Sequence, residues 1–243
     1  MYFNLFSRVS IFERRGGEVG VRRPLSGLPS LTPLAGTVPL LMVMIGSVTF
    51  DGLSGGSTWQ GIVPTLQEAF GALGLSPAAT LELTFGAGLI ATILVISSYW
   101  GLGILGARAM GGGFGAGRLS SAFAHSLVPI ALVYAAAHYV SLLVIQGQAL
   151  GFLASDPLGE GWNLLGTSTA TIDYGVLGQN TYWYMQVGFV VVGHVAALAL
   201  AHDRAIALYR DAKTAIRSQY WMLGVMVSFT VLALWLLAQA NDG

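Results

Sequence analysis

The feature that most constrains this chain is an apolar stretch with two histidines inside it. Residues 120–146 read SSAFAHSLVPIALVYAAAHYVSLLVIQ, long and apolar enough to cross a bilayer as a helix. The stretch carries His125 and His138, and the other two histidines, His194 and His202, lie in the next comparable stretch. Because an ionisable side chain is costly inside a membrane, each histidine is a candidate for a functional site.

The composition also indicates a membrane protein. Of 243 residues, 54% are hydrophobic and 9% are charged, which is far from the balance of a soluble domain. There is no cysteine, which excludes disulfides, thiolate metal sites and cysteine nucleophiles. The sequence therefore predicts an all-α polytopic membrane helix bundle that forms a single membrane domain.

Apolar stretches separated by Gly-rich or charged segments predict about five transmembrane helices. The predicted spans cover about residues 33–50, 78–107, 120–146, 181–204 and 219–240. Thr32-Pro33 and Ser76-Pro77 are typical helix starts, because proline fits the first helical position. Residues 1–31 are predicted to lie in the cytoplasm or at the interface, and residues 51–76 and 147–179 to form outer loops. Within the first loop, the capping-box pattern of Thr65 and Glu68 predicts a short interfacial helix.

The basic residues predict the orientation of the bundle. With the N-terminus inside and the C-terminus outside, five spans place all eleven Lys and Arg residues on the cytoplasmic side, as the positive-inside rule requires. Anionic lipid is a sufficient partner for such a basic face, so no nucleic acid is implied.

Helix geometry limits which histidines can share a cofactor. His125 and His138 are about 20 Å apart along a helix axis, so one metal cannot bind both. Antiparallel spans place His125 at a depth between His194 and His202, so a haem or a single metal could use His125 with either of them. The alternative is structural: each histidine donates to a carbonyl on a neighbouring helix, or, for His202 beside Asp203, is solvated at the cytoplasmic edge.

A second candidate site gathers at the predicted outer end of the spans. It consists of His138, Asp51, Glu82 and Asp173. Imidazole and carboxylate together suit a divalent transition metal such as zinc, manganese or iron, and such a metal can activate water. The alternative is a set of ordinary acidic loop residues on a face without basic ones.

Several segments resemble one known family. They are IGSVTFDG (45–52), LVPIALVYAAAHY (127–139), SLLVIQGQ (141–148), SDPLGEGWNLLGT (155–167), TIDYG (171–175) and GHVAALALAHDRA (193–205). These segments are similar to bacterial polytopic membrane proteins labelled fenitrothion hydrolase. Some members carry a further histidine four residues before the one that matches His138, where this chain has Tyr134.

The resemblance implies a multi-pass protein of the bacterial cytoplasmic (inner) membrane. It implies phosphotriester hydrolysis, which usually calls for a divalent metal and an activated water. Many members are longer at the N-terminus, which implies a separate membrane subunit that supplies additional helices. It implies no catalytic residues for this chain.

Three functions follow from the sequence and stay open at this point. The first is a membrane subunit with a metal site that acts as a hydrolase. The second is a non-catalytic accessory subunit of a larger membrane complex, packed through Gly-rich helices. The segment GLGILG (101–106) fits this second function, because it is better explained by close helix packing through small residues than by nucleotide binding, for which a strand should precede it. The third is a haem-binding electron-transfer subunit.

Overall fold

A computed structural model describes residues 2–209 and 211–241 and confirms an all-α membrane fold. In these residues, five helical segments are long and apolar enough to cross a membrane. Arg210, which belongs to the predicted charged end of span 4, lies outside the described residues.

The elements follow one another along the chain, and the two longest connections cover residues 22–36 and 156–178. They are α1 (Tyr2–Ser7), the hairpin strands β1 (Phe12–Arg15) and β2 (Glu18–Val21), α2 (Thr37–Ser54), α3 (Ser57–Gly71), α4 (Pro77–Ala109), α5 (Ala116–Phe123), a 3-10 turn (Ala124–Ser126), α6 (Leu127–Gln146), α7 (Ala149–Ser155), α8 (Gln179–Leu208) and α9 (Ala212–Asn241). The five spanning segments are α2, α4, α5 with α6, α8 and α9. Successive spans alternate in direction. We call the two ends of the bundle the Asp51 end and the Arg204 end.

One predicted helix start is confirmed and another is wrong. Ser76 caps α4 by accepting a hydrogen bond from the Ala79 backbone at 3.3 Å. Span 1, in contrast, begins at Thr37 rather than at Thr32-Pro33, after a left-handed Gly36 with φ of 89°. The Thr37 hydroxyl accepts from the Leu34 backbone at 2.9 Å, which holds the preceding residues in a turn outside the helix.

The first predicted outer loop is mostly helix. Helix α3 begins at Ser57, so Thr65 lies inside it and does not form the predicted capping box. The rings of Trp59 on α3 and Phe50 on α2 are 5.1 Å apart, and both pack against Gly88 of α4. Since α4 starts eleven residues before Gly88, its first part projects about 16 Å past this contact. The α3–α4 hairpin therefore extends beyond the Asp51 end.

The predicted third span is interrupted at its first histidine. Helix α5 ends at Phe123, a single 3-10 turn contains His125, and α6 continues from Leu127. Pro129 has no backbone N–H to donate to the carbonyl of His125, which favours a break in the helix at this point.

The N-terminal segment folds onto the Arg204 end. Leu5 and Leu28 are fully buried there. Arg204 of α8 donates to the Pro29 carbonyl at 2.8 Å, and Arg22 donates to the Ser7 carbonyl at 2.8 Å. The segment is therefore attached to the bundle by packing and by the hydrogen bond from Arg204 to Pro29.

Candidate functional site

An aspartate and a histidine from different spans meet at the Asp51 end. Asp51 lies in the last turn of α2, and His138 lies in the middle of α6. The His138 Nε2 atom is 2.7 Å from the Asp51 Oδ2 atom, and the side chains are 29% and 57% exposed. This distance is that of a short, charge-assisted hydrogen bond.

The contact fixes which nitrogen of His138 can act as a base. A carboxylate only accepts, so the Nε2 atom carries the proton of the neutral ring and the Nδ1 atom carries the lone pair. The Nδ1 atom makes no hydrogen bond with the residues that the structure describes. His138 is therefore oriented by Asp51 and has one nitrogen available for chemistry.

The pair lies in the wall of a cavity between α2, α6, α8 and α9. The cavity has a volume of about 350 Å³, within the range of small-molecule sites. Its lining consists of Val48, Thr49, Asp51, Gly52, Gly55, Tyr134, Ala137, His138, Ser141, Gln186, Val190, Ala233, Leu236 and Leu237. The lining thus combines apolar side chains with a few polar groups, which is the usual make-up of a ligand site.

Two lining residues were not predicted as site residues from the sequence. Tyr134 lies one turn before His138 on α6, and Gln186 lies on α8. The Gln186 amide nitrogen donates to the Ala137 carbonyl at 3.0 Å, and its Oε1 atom is buried without a partner among the described residues. The sequence signal that could have identified Gln186 is its position inside an apolar span, because a buried amide is costly in a membrane and therefore indicates a polar site.

Glu82 does not join the pair. It is exposed on α4, six residues before Gly88, and so lies about 9 Å further out along the α4 axis than the level of Phe50. The sequence placed Glu82 near the start of a span, but the projection of the α3–α4 hairpin carries it past the end of α2.

Asp173 is also engaged elsewhere. Its Oδ1 atom accepts from the Gly175 backbone at 2.8 Å, which closes a local turn. Its own backbone exchanges two 3.0 Å hydrogen bonds with the Gln148 side chain. The loop that follows α7 is therefore organised by its own polar groups.

The predicted metal site can be tested against these positions. Across residues 2–209 and 211–241, no group of three His, Asp or Glu side chains could hold a metal ion together. Catalytic metals usually have three protein ligands, and here His138 and Asp51 supply two. The four predicted ligands thus do not form one cluster among the described residues, and the Asp51–His138 contact fits an imidazole base oriented by a carboxylate.

The three histidines proposed for a haem have separate environments. His125 and His194 are buried, and their Nδ1 atoms contact the carbonyls of Ala122 at 3.1 Å and Val190 at 2.7 Å. Each of these carbonyls belongs to the preceding turn of the same segment rather than to a neighbouring helix. His202 is exposed on α8.

Aromatic packing holds His194 in the core. Its ring centroid lies 6.0 Å from that of Tyr134 and 5.5 Å from that of Phe229. The Leu200 carbonyl of α8 lies against the His125 ring. Packed aromatic neighbours and bonds to nearby carbonyls are the surroundings expected of structural histidines.

Comparisons with known protein families, with curated proteins and with solved structures find no match.

Proposed function

We propose that this protein is an integral membrane hydrolase in which Asp51 and His138 activate water to attack an ester. The observation that carries this proposal is the 2.7 Å contact between the two side chains in the wall of a cavity of about 350 Å³. A phosphotriester is the substrate class that the sequence resemblance supports.

The reaction follows from the orientation of the imidazole ring. Asp51 accepts a hydrogen bond from the Nε2–H group of His138 and stabilises the ring when the ring becomes positively charged. The Nδ1 atom takes a proton from water as the water oxygen forms a bond to phosphorus. The bond from phosphorus to the leaving oxygen breaks, and that oxygen receives the proton from His138. The products are a phosphodiester and an alcohol or phenol.

Other groups in the cavity can bind the ester. Tyr134 and Ser141 bring hydroxyl groups to the lining, and Ala137, Val190 and Leu236 bring apolar surface. A hydroxyl that donates to the phosphoryl oxygen would stabilise the charge that develops there.

The proposed setting is a bacterial cytoplasmic membrane, with the Asp51 end outside and a second membrane subunit beside the bundle. The second subunit is supported by the resemblance. The orientation is supported by the positive-inside pattern, because Arg204 and the Arg-rich N-terminal segment pack together at the opposite end.

An ester assay with matched variants tests the hydrolase proposal. Membranes that contain the protein, and then the purified protein in nanodiscs, are assayed with dimethyl 4-nitrophenyl phosphate. Loss of the base in His138→Ala is expected to lower kcat by about 100-fold or more while KM changes little. His202→Ala serves as the control, because it removes an exposed imidazole outside the cavity. Equal rates for the His138→Ala variant and the unmodified protein would contradict the proposal.

A further inference from the structure

A second cavity lies between α2, α3, α4 and α9 and is almost wholly apolar. Its volume is about 430 Å³, and its lining includes Trp59, Ile62, Ala91, Val95, Trp235 and Leu236. Thr49, Thr58 and Thr92 also line it, but each hydroxyl already donates to an oxygen at 2.7–3.0 Å. The wall therefore favours hydrocarbon over water.

This apolar cavity has a rim of exposed apolar side chains. Ile62 of α3, Val95 of α4 and Trp235 of α9 line it and are 43%, 48% and 46% exposed. Exposed apolar side chains on a membrane-spanning helix face lipid. The cavity thus opens sideways, toward the hydrocarbon of the bilayer.

The two cavities share part of their wall. Thr49 of α2 and Leu236 of α9 line both the apolar cavity and the cavity that contains Asp51 and His138. A polar compartment and an apolar compartment therefore adjoin at the contact between α2 and α9. A molecule with its polar reacting group in one cavity and its hydrocarbon tail in the other would pass beside the Thr49 and Leu236 side chains.

We propose that the apolar cavity binds the hydrocarbon tail of the ester whose reacting group lies at Asp51 and His138. The ester enters from the bilayer, between the α3–α4 hairpin and α9. This inference rests on the proposed hydrolase function and narrows its substrate class to amphipathic, membrane-dissolved esters.

A series of esters with growing alkyl chains tests the role of the apolar cavity. With 4-nitrophenyl phosphotriesters, kcat/KM of the unmodified protein should rise about two- to fourfold per added methylene while the tail fills the cavity. Ala91→Phe places a ring in the cavity from an exposed position on α4. It should abolish the dependence of kcat/KM on the length of the alkyl chain. Val195→Phe is the control, because Val195 is 62% exposed on α8 and lines neither cavity.

A binding measurement separates this inference from the hydrolase proposal. The probe is 11-bromoundecyl methylphosphonate, which resists hydrolysis and whose bromine quenches tryptophan fluorescence. We expect saturable quenching that is reduced in Trp235→Phe and abolished only when Trp59, which also lines the cavity, is replaced by phenylalanine as well. In Ala91→Phe, half-maximal quenching should need about tenfold more probe, which is about 1.4 kcal/mol of binding. Val195→Phe should behave as the unmodified protein does.

The outcomes of the two measurements are distinct. Saturable quenching that Ala91→Phe weakens, without turnover of any ester, would support the apolar site and reject hydrolysis. Turnover that depends on His138 but not on chain length or on Ala91→Phe would reject the apolar site and leave the hydrolase proposal standing. Quenching that rises linearly with probe concentration would also reject the apolar site.

Discussion

His194 and His125 are both buried in apolar segments, but their ring nitrogens differ. His194 contacts the Val190 carbonyl through Nδ1, while its Nε2 atom is buried without a partner among the described residues. His125 contacts the Ala122 carbonyl and lies against that of Leu200. A buried polar atom without a partner destabilises a fold, whereas a satisfied one contributes to it.

Substituting each buried histidine by phenylalanine should therefore have opposite effects. His194→Phe removes the unpartnered nitrogen beside Tyr134 and Phe229 and should stabilise the protein by about 1 kcal/mol. His125→Phe removes the N–H that the ring donates to one of these two carbonyls and should destabilise the protein by about 1–3 kcal/mol. Thermal unfolding in detergent measures both. A large destabilisation by His194→Phe would mean that its Nε2 atom has an important partner.

At the scale of single elements, close helix contacts depend on a few glycines. A Cβ atom added at Gly46 of α2 would lie 2.9 Å from the Ile93 Cα atom of α4, whereas one added at Gly101 would meet nothing within 4 Å. Within GLGILG, Gly106 packs against the Trp221 ring and Gly103 lies near Met222, while Gly101 is open. The predicted packing role therefore holds for two of the three glycines.

Alanine substitutions at Gly46 and at Gly101 should differ in effect, because only Gly46 lies in close contact with another helix. Gly46→Ala should push α2 away from α4 and cost about 1–3 kcal/mol, as overpacking usually does. Gly101→Ala should be neutral or stabilise α4 by about 0.5–1 kcal/mol. The free energy of unfolding of each variant measures these effects. Equal effects of the two substitutions would contradict the close α2–α4 contact.

The start of α9 has a pH-dependent cap. The backbone N–H and the hydroxyl of Thr214 both donate to the Asp211 carboxylate at 2.9 Å. These contacts hold the pKa of Asp211 below its usual value of 3.8, and the hydrogen bond from the Thr214 backbone contributes most. Because the folded-state pKa is depressed, the stabilisation is fully present above pH 3.8. It is lost as the pH falls through the lower folded-state pKa.

Hydrogen exchange at the first turn of α9 should report this cap. After correction for intrinsic rates, the amide of Thr214, which donates to the Asp211 carboxylate, should lose protection as the pH falls below 3.8. Asp211→Ala should remove that protection at neutral pH as well. Unchanged protection in the variant would show that the cap does not stabilise the helix.

At the scale of the whole molecule, the absence of cysteine makes the orientation measurable. Single cysteines at Ala170, in the loop after α7, and at Ala212, at the start of α9, lie at opposite ends of the bundle. In intact cells a membrane-impermeant maleimide should label Ala170→Cys but not Ala212→Cys. Ala212→Cys should be labelled only after the cells are permeabilised. The reverse pattern would contradict the predicted inside position of the N-terminus.

The sequence predicted the helices better than it predicted the site. Long apolar stretches have no other stable structure in lipid than a helix, so the spans followed from composition. The sequence assigns both Asp51 and His138 to the outer end of the spans. Their contact, however, depends on how α2 and α6 are rotated, and composition does not determine rotation. Glu82 and Asp173 were grouped with them because neither the projection of the hairpin nor the turn at Gly175 is visible in the sequence.

The most direct test of the Asp51–His138 pair is a double-mutant cycle on ester hydrolysis. Asp51→Asn, His138→Ala and the double variant are compared by kcat/KM with the unmodified protein. If Asp51 acts only through His138, the double variant should be no slower than His138→Ala alone, because residues that act as a unit are strongly non-additive. Losses that simply multiply, or no loss in His138→Ala, would contradict a pair that activates water.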